Sequence, residues 1–194
     1  MDRALKIGCV MMAAGNGSRF GSNKLAAEFH GQSLFAHALS IIPPQIFTNV
    51  IVVTQYHSFM DEICAHSFRC VLNEHPDWGQ SHTLQLGLRQ LLDCDGVMFM
   101  VADQPLLQQK SLEALTTLWR TQPDKIAALS AHGKRGNPCL FPSCCFSELL
   151  QIQGDRGGSC VIRAQPEKLL LLEVPEAELF DVDTVQSFQQ LSSL

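Results

Sequence analysis

The sequence predicts a three-layer α/β/α sandwich around a mostly parallel sheet, and two observations carry that prediction. Short apolar runs alternate along the chain with longer segments in which apolar residues recur every three or four positions. The apolar runs have few polar interruptions, as expected for parallel strands whose two faces are both covered by helices. This alternation implies right-handed crossovers between strands and a layer of helices on each side of the sheet.

Seven apolar runs are predicted as strands, and five periodic segments between them as helices. The clearest strand is Val-Ile-Val-Val-Thr at 50–54, and the clearest helical face joins Leu84, Leu88, Leu91 and Leu92. The predicted strands are residues 6–12, 50–54, 70–73, 97–102, 126–130, 138–141 and 168–174. The predicted helices are residues 34–42, 58–66, 81–92, 110–120 and 184–191. The chain shows no internal repeat or linker, and its 194 residues suit a single domain over 1–194.

The composition excludes several classes of protein. A net charge of −5 argues against a nucleic-acid-binding surface, which is usually basic. No apolar run approaches the roughly 18 residues of a membrane span, and the first residues lack the apolar core of a secretory signal. We therefore expect a cytoplasmic protein with no nucleic acid or membrane partner. The eight cysteines include no C-x-x-C pair, so we expect reduced thiols and no zinc site.

A glycine-rich segment at 12–24 directly follows the first predicted strand. Its glycines allow a tight turn that brings backbone N–H groups close to an anion, and Arg19 and Lys24 add positive charge. The spacing fits neither the dinucleotide fingerprint G-x-G-x-x-G nor the P-loop G-x-x-x-x-G-K-[ST]. The segment therefore indicates a nucleoside triphosphate site. The competing interpretation is an ordinary strand-to-helix turn that carries a surface arginine and lysine.

Two carboxylates are candidate magnesium ligands. Asp103 follows the strand predicted at 97–102, and ligands of open α/β sheets bind beyond the carboxyl ends of the strands. Mg²⁺ prefers oxygen ligands, usually one or two carboxylates together with substrate phosphates. Asp183 lies between the last strand and the last helix, with Asp181 as the alternative ligand. Both positions also suit a purely structural carboxylate: a helix N-cap or a turn residue before Pro105 for Asp103, and a helix N-cap for Asp183.

A polar loop at 73–83 leads into the third predicted helix. Helix N-termini favour anions, and Ser81 and Thr83 are candidates to hydrogen-bond a nucleobase. His82 is a candidate general base, but we interpret it as a solvated loop histidine. We expect Asn73 to cap a turn.

Residues 13–24 resemble the signature A-A-G-x-G-x-R-[FM]-G-x-x-K of nucleotidyltransferases that have the Rossmann-like fold of the nucleotide-diphospho-sugar transferases. Among these, the chain is most similar to the molybdenum cofactor nucleotidyltransferases, over residues 6–190. Ala13-Ala14-Gly15 is similar to the cytidylyltransferase form, whereas the guanylyltransferase form usually has Ala-Gly-Gly. Asp103-Gln104-Pro105 and Asp181-Val182-Asp183-Thr184 resemble the family's Asp-x-Pro and Asp-Ile-Asp-Thr.

The resemblance implies a role for each of these segments. Catalysis is assigned to Arg19, Lys24 and Asp103, and metal binding to Asp103 and Asp183. Nucleotide binding is assigned to Ala13, Ala14, Gly15, Asn16, Gly17, Ser18, Arg19, Lys24, Gly79, Ser81 and Thr83. Acceptor binding is assigned to Gly136, Asn137, Pro138, Gly154, Asp155 and Arg156, which match the family's Gly-x-Pro and Gly-Asp-x-Gly.

The two acceptor segments also have a plainer interpretation, as flexible glycine-rich surface loops before a strand at 138 and before a short helix at 159. The sequence departs from the family in two places. The family often carries an arginine at the position of Ser159. Because serine stands here, Arg156 and Arg163 are the candidates to bind the acceptor phosphate. Val185-Gln186-Ser187 replace the usual Pro-Glu-Asp in the first turn of the last helix, where we expect an effect on capping rather than on chemistry.

The resemblance implies a magnesium-dependent cytidylyltransferase that joins CMP from CTP to the phosphate of molybdopterin and releases pyrophosphate. The cofactor is Mg²⁺, and the product would pass to a molybdenum hydroxylase or its insertion chaperone. Because an acceptor phosphate is already ionised near neutral pH, no strong general base is required.

Four alternatives stay open. The nearest is a guanylyltransferase that uses GTP. A methylerythritol phosphate cytidylyltransferase usually has Pro-Lys-Gln where Asn23-Lys24-Leu25 stands here, and sugar-phosphate nucleotidyltransferases are usually longer. The fourth is a molybdenum cofactor-binding or insertion chaperone that turns over no nucleotide.

Overall fold

A seven-stranded sheet forms the centre of the computed structural model, which describes residues 3–15, 20 and 23–191. The strands are β1 Ile7–Ala13, β2 Glu28–Phe29, β3 Gln32–Ser33, β4 Val50–Thr54, β5 Arg69–Leu72, β6 Gly96–Val101, β7 Ile126–Ala131, β8 Lys134–Pro142 and β9 Leu169–Glu173. The order across the sheet is β5-β4-β1-β6-β8-β7-β9, and β2 and β3 form a separate hairpin. β8 is antiparallel to both neighbours, and all other pairings in the large sheet are parallel. The predicted mostly parallel sheet is therefore confirmed.

Helices cover both faces of this sheet. In the described part of the chain they are α1 Leu34–Ser40, α2 Met60–Ala65, α3 Gln80–Leu88, α4 Gln109–Thr121, α5 Phe146–Leu149, α6 Ser159–Ala164 and α7 Val185–Leu191. Phe35 of α1, Ile63 of α2 and Trp119 of α4 are buried in the core on one face. Leu84 of α3 and Val161 of α6 are buried in the core on the other. This arrangement is the predicted three-layer sandwich. None of the described helices is long and apolar enough to cross a lipid bilayer.

The largest difference from the predicted elements lies in β8, which begins at Lys134 rather than at 138. Gly136-Asn137-Pro138 therefore lie within a strand and not in a loop before it. Glycine and proline are both unfavourable inside a regular strand, so the sequence pattern did not reveal the first half of β8. The sheet accommodates the segment in a bulge opposite β7.

Shorter elements account for the other differences. The β2–β3 hairpin and the single turn α5 were not predicted, because two to four residues are too few to show a period. α3 begins at Gln80 and ends at Leu88, so the predicted end at 92 is wrong. The apolar side chain of Leu91 packs on the sheet from the chain that follows the helix, whereas Leu92, which was predicted on the same face, is exposed because the helix has already ended.

A buried carboxylate, that of Glu178, closes the N-terminus of α4. Its side chain is 1% exposed, and Oε2 accepts a hydrogen bond from Ser111 Oγ at 2.6 Å and from the Gln108 N–H at 3.2 Å. The first N–H groups of a helix lack partners within the helix and carry partial positive charge, which a carboxylate stabilises. Glu178 thereby fastens the turn Glu176–Leu179, and with it the start of the segment that leads to Asp183, against the rest of the fold.

We expect Glu178→Ala to lower the free energy of unfolding by about 2 kcal/mol, because it leaves the Ser111 and Gln108 donors without their acceptor. Glu176→Ala is the matched control in the same turn, since this exposed carboxylate lies 3.6 Å from the equally exposed His132. We expect that change to cost less than about 0.5 kcal/mol. Urea denaturation measures both, and equal effects would contradict the capping role.

Candidate active site

A cleft of about 640 Å³ opens where β1 and β6 end. It is lined by Ala13, Ala14 and Gly15 at the end of β1 and by Asp103, which follows β6. The other sequence-predicted residues in its wall are Lys24, Gly79, Thr83 and Asp155. The fold thus brings together residues from both ends of the chain at the carboxyl edge of the parallel strands, where ligands of open α/β sheets bind.

Lys24 lies between the two predicted metal ligands. Its Nζ is 2.5 Å from Asp103 Oδ2 and 3.1 Å from Asp183 Oδ1. The Val182 N–H donates to the Asp103 carbonyl at 2.9 Å, which holds the segment around Asp183 against the end of β6. Burial alone would lower the pKa of Lys24, but the charges and hydrogen bonds of Asp103 and Asp183 raise it above its ordinary value. Lys24 is therefore a cation held by two carboxylates.

The carboxylates have the chemistry of a magnesium site that is completed by substrate. Asp103 Oδ1 is buried and has no hydrogen-bond partner among the described groups. The Lys24 ammonium already occupies a position between Asp103 and Asp183, where positive charge is favoured. Within the described ranges, no three His, Cys, Asp or Glu side chains converge to hold a metal by themselves. A cation bound here would take its remaining oxygen ligands from phosphate and water, as Mg²⁺ commonly does.

Asp181, the alternative second ligand, differs from Asp183 in its surroundings. Its pKa rises to about 6, first because the adjacent protein partly desolvates the carboxyl and then because Asp103 lies nearby, while a hydrogen bond from Gln104 opposes the rise. Asp183 contacts the shared Lys24 ammonium, and Asp181 does not come within ion-pair distance of it. Of the two, Asp183 is therefore the better placed to share a cation with Asp103.

The start of α7 leaves the Asp183 side chain free for this contact. Thr184 is the N-cap, because its Oγ1 accepts from the Ser187 N–H at 3.0 Å. Ser187 Oγ in turn accepts from the N–H groups of Thr184 at 2.9 Å and Asp183 at 3.0 Å. This is a reciprocal capping arrangement with serine where glutamate is usual. The interpretation of Asp183 as the N-cap is wrong, and Ser187 takes part in capping as expected.

Two residues that the sequence did not single out hold the beginning of the glycine-rich segment. Gln55 Nε2 donates to the carbonyls of Ala14 at 3.1 Å and Gly15 at 3.2 Å, and the Tyr56 hydroxyl donates to the Gly15 carbonyl at 3.2 Å. Both residues directly follow β4, at the same edge of the sheet, and this position is the sequence feature that could have identified them. The predicted residues Asn16, Gly17, Ser18 and Arg19 lie outside the described residues.

The loop before α3 directs Thr83 into the cleft. Buried Asn73 donates from Nδ2 to Thr83 Oγ1 at 3.0 Å, and its Oδ1 accepts from the His75 N–H at 2.9 Å. Asn73 therefore caps a turn, as predicted, and also orients Thr83. Ser81 lies on another side of the helix and lines a second cavity of about 620 Å³. Thr83 is thus the better placed of the two to meet a base in the main cleft.

His82 belongs to α3 and not to a loop, so the interpretation of a solvated loop histidine is wrong in that respect. It lines the second cavity, and its ring centroid is 4.8 Å from that of Trp78. Partial burial and the nearby His75 lower its pKa. His82 is therefore neutral near pH 7 and does not face the main cleft.

The polar loop at 73–83 and the acceptor segment at 154–156 pack directly on each other at Gly79. The Ser81 N–H donates to the Gly154 carbonyl at 3.2 Å, and the Gln80 N–H donates to Asp155 Oδ1 at 3.4 Å. Gly79 has φ +89°, and a Cβ there would lie 2.6 Å from the Gly154 carbonyl. Two segments that were assigned to different substrates therefore share one wall of the cleft.

The remaining acceptor residues lie outside the cleft wall. Gly136-Asn137-Pro138 form the bulge of β8, and Gly154 lines the second cavity. Arg156 and Arg163, the two candidates for the acceptor phosphate, are both exposed. Arg135, which the sequence reasoning passed over, is half-buried and donates to Ser159 Oγ at 2.9 Å.

Comparison with known proteins identifies one family and several relatives. The model of the MobA-like NTP transferase domain matches residues 9–169. The purine catabolism protein PucB of Bacillus subtilis (strain 168) is 28% identical over 195 residues, which cover 94% of each chain.

Solved structures show the same fold at low sequence identity. Rv0371c of Mycobacterium tuberculosis H37Rv is 20% identical with a TM-score of 0.82 and covers 100% of both chains. Its complex with manganese has a TM-score of 0.77 at 20% identity, with 97% of this chain and 100% of that chain covered. Molybdopterin-guanine dinucleotide biosynthesis protein A of Archaeoglobus fulgidus is 13% identical with a TM-score of 0.70, covering 96% and 97%. These likenesses confirm the predicted Rossmann-like fold of the nucleotide-diphospho-sugar transferases.

Proposed function

The chain belongs to the MobA-like NTP transferase domain family and is a nucleotidyltransferase, and from that premise we propose that it transfers CMP from CTP to the phosphate of molybdopterin. The products are molybdopterin cytosine dinucleotide and pyrophosphate. The observation that carries the proposal is the contact of Lys24 with both Asp103 and Asp183 at the mouth of the cleft after β1. A cationic side chain and two acidic ones at one point suit a metal-bound triphosphate.

In the proposed reaction an oxygen of the acceptor phosphate forms a bond to the α-phosphorus of CTP. The bond from the α-phosphorus to the bridging oxygen breaks, and pyrophosphate leaves with that electron pair. Lys24 and Arg19 stabilise the charge on the departing group. The acceptor oxygen is already ionised and needs no strong general base. This agrees with the position of His82, the histidine that the sequence offers as a base, which faces another cavity. Positioning and electrostatics then supply most of the catalysis.

Asp103 and Asp183 are the residues that would hold magnesium in this reaction. The bound ion would neutralise phosphate charge and orient the reacting oxygens. On binding of the nucleotide we expect Lys24 to exchange its carboxylate contacts for phosphate oxygens. The manganese complex of Rv0371c supports a divalent cation in this fold.

CTP is favoured over GTP because Ala13-Ala14-Gly15 at the end of β1 resembles the cytidylyltransferase form. The Thr83 hydroxyl, which Asn73 orients, would contact the base. Molybdopterin as the acceptor is supported by the family and by the archaeal neighbour named for molybdopterin-guanine dinucleotide biosynthesis. We further propose that the product passes to a molybdenum hydroxylase or its insertion chaperone.

Pyrophosphate release tests this function. Each of the four ribonucleoside triphosphates is supplied with Mg²⁺, with and without molybdopterin. We expect turnover with CTP only, and only when the acceptor is present. Turnover with GTP instead would make the chain a guanylyltransferase, and molybdopterin binding without any turnover would make it a binding or insertion chaperone.

A further inference from the structure

Arg135 lies at the same edge of the sheet as Asp103. Phe99 of β6 pairs with Cys139 of β8, and the two strands run in opposite directions. From that pair β6 continues toward Asp103, while β8 leads back to Arg135. Asp103 follows the carboxyl end of β6, and Arg135 lies near the same end of the sheet, where ligands of such sheets bind.

A bulge in β8 sets the local direction of the chain at Arg135. Ala128 of β7 pairs with Cys139, and Ser130 pairs with Arg135, so residues 136–138 face Leu129 alone. Bulges of this kind disrupt the ladder and re-aim the neighbouring side chains, often beside active sites. The Arg135 guanidinium extends toward α6, where Nη2 donates to Ser159 Oγ at 2.9 Å.

The charge of Arg135 has no anionic partner among the described residues. Its two contacts there are the Ser159 hydroxyl and the Cys139 Sγ, which lies 3.5 Å from Nη1. Burial raises the pKa of the Cys139 thiol, so this partner is neutral as well. A guanidinium presents five N–H donors, and a half-buried charge beside neutral groups is costly until an anion pairs with it. Arg135 is therefore suited to an anionic ligand.

The segment 154–159 connects Arg135 to the cleft. Ser159 ends this segment, and Asp155 near its beginning lines the main cleft. The hydrogen bond from Arg135 to Ser159 therefore joins β8 to the segment that forms part of the cleft wall. Arg156 and Arg163 are exposed and lack such a setting.

We propose that Arg135 binds the phosphate of a phosphomonoester acceptor and so positions the attacking oxygen. The planar guanidinium matches two phosphate oxygens at once, which fixes both the distance and the orientation of that group. This inference rests on the proposed function, because only an acceptor that carries a phosphate would use such a residue.

Four variants separate this role from a structural one. Arg135→Gln removes the charge, and Arg135→Lys keeps the charge without the planar fork. Ser159→Ala removes the hydrogen bond to the loop but leaves Arg135 in place. Arg69→Gln is the matched control, an exposed arginine in β5 that donates to Gln90 and has no assigned role in the site. Each is measured for thermal stability, for kcat and KM with acceptor and with CTP, and for binding of inorganic phosphate by calorimetry in the presence of Mg²⁺ and α,β-methylene-CTP.

We expect Arg135→Gln to raise the acceptor KM and the phosphate Kd by about tenfold or more, with the KM for CTP within about twofold of wild type. Arg135→Lys should recover part of the loss, and Ser159→Ala and Arg69→Gln should bind phosphate as wild type does. Equal losses in Arg135→Gln and Ser159→Ala, together with lower thermal stability, would overturn the proposal, since they would show that Arg135 only holds the loop.

The phosphate titration also separates this inference from the proposed function. Phosphate binding that depends on Arg135 in a chain without cytidylyl transfer would refute the function and leave the anion site. Cytidylyl transfer with normal acceptor KM in Arg135→Gln would refute the anion site and leave the function.

Discussion

Replacing Asp103 with asparagine is expected to lower kcat for pyrophosphate release by about a thousandfold or more, the scale of losing a group that stabilises transition-state charge. Asparagine has nearly the same shape but a neutral amide, so the position loses its affinity for a cation. The fold should persist, because Lys24 keeps its contact with Asp183 and the backbone bond from Val182 does not involve the side chain.

The control for this change is Asp93→Asn. Asp93 precedes β6 at the opposite edge of the sheet, and it is an exposed carboxylate 3.4 Å from Lys6. We expect this variant to keep wild-type turnover and wild-type Mn²⁺ affinity, whereas Asp103→Asn should lose both. If Asp103→Asn retains turnover within about tenfold of wild type, then Asp103 does not hold the catalytic cation.

Gly79→Ala is expected to cost about 2–4 kcal/mol of stability and to weaken CTP binding by more than tenfold. The backbone at Gly79 has φ +89° and ψ −179°, a region that is essentially restricted to glycine. A Cβ would also meet backbone on the facing segment, 2.6 Å from the Gly154 carbonyl and 2.7 Å from the Asp155 nitrogen. Because backbone cannot turn aside as a flexible side chain can, the two segments that form this wall must separate.

Gly133→Ala isolates the cost of the backbone conformation. Gly133 has φ +72° in the turn between β7 and β8, and a Cβ there would meet no described atom within 4 Å. We expect this control to lose about 1–2 kcal/mol and to bind CTP normally. Equal destabilisation of the two variants in urea, with unchanged CTP affinity in both, would mean that the contact of Gly79 with Gly154 does not shape the cleft.

The sequence was sufficient to predict the sheet and the meeting of Lys24 with Asp103. Parallel strands that are buried on both faces leave long apolar runs, and β4 was predicted to its exact bounds for that reason. Once the strand ends are known, the rule for open sheets brings together residues 79 positions apart in the chain. The position of Asp183 was harder to predict, because it depends on a hydrogen bond from the Val182 N–H to the Asp103 carbonyl. No local sequence pattern predicts that bond.

The sequence was insufficient wherever a residue acts through a distant partner. Arg135 and Tyr56 take their roles from Ser159 and Gly15, to which they have no periodic relation. The choice between Ser81 and Thr83 depended on the direction of each side chain from α3. With 3.6 residues per turn, positions two apart point to nearly opposite sides, so only one of them can face the cleft.

The Glu178 contact has a thermodynamic consequence for distant parts of the chain. The Glu178 carboxylate joins the first turn of α4 to the segment that leads from Glu178 to Asp183. Local unfolding of either would therefore break the contact that stabilises the other. By linkage, a nucleotide complex that engages Asp183 would slow amide exchange at Gln108, although that amide does not line the cleft. Amide exchange at the N-terminus of α4 would therefore report whether a nucleotide is bound in the cleft.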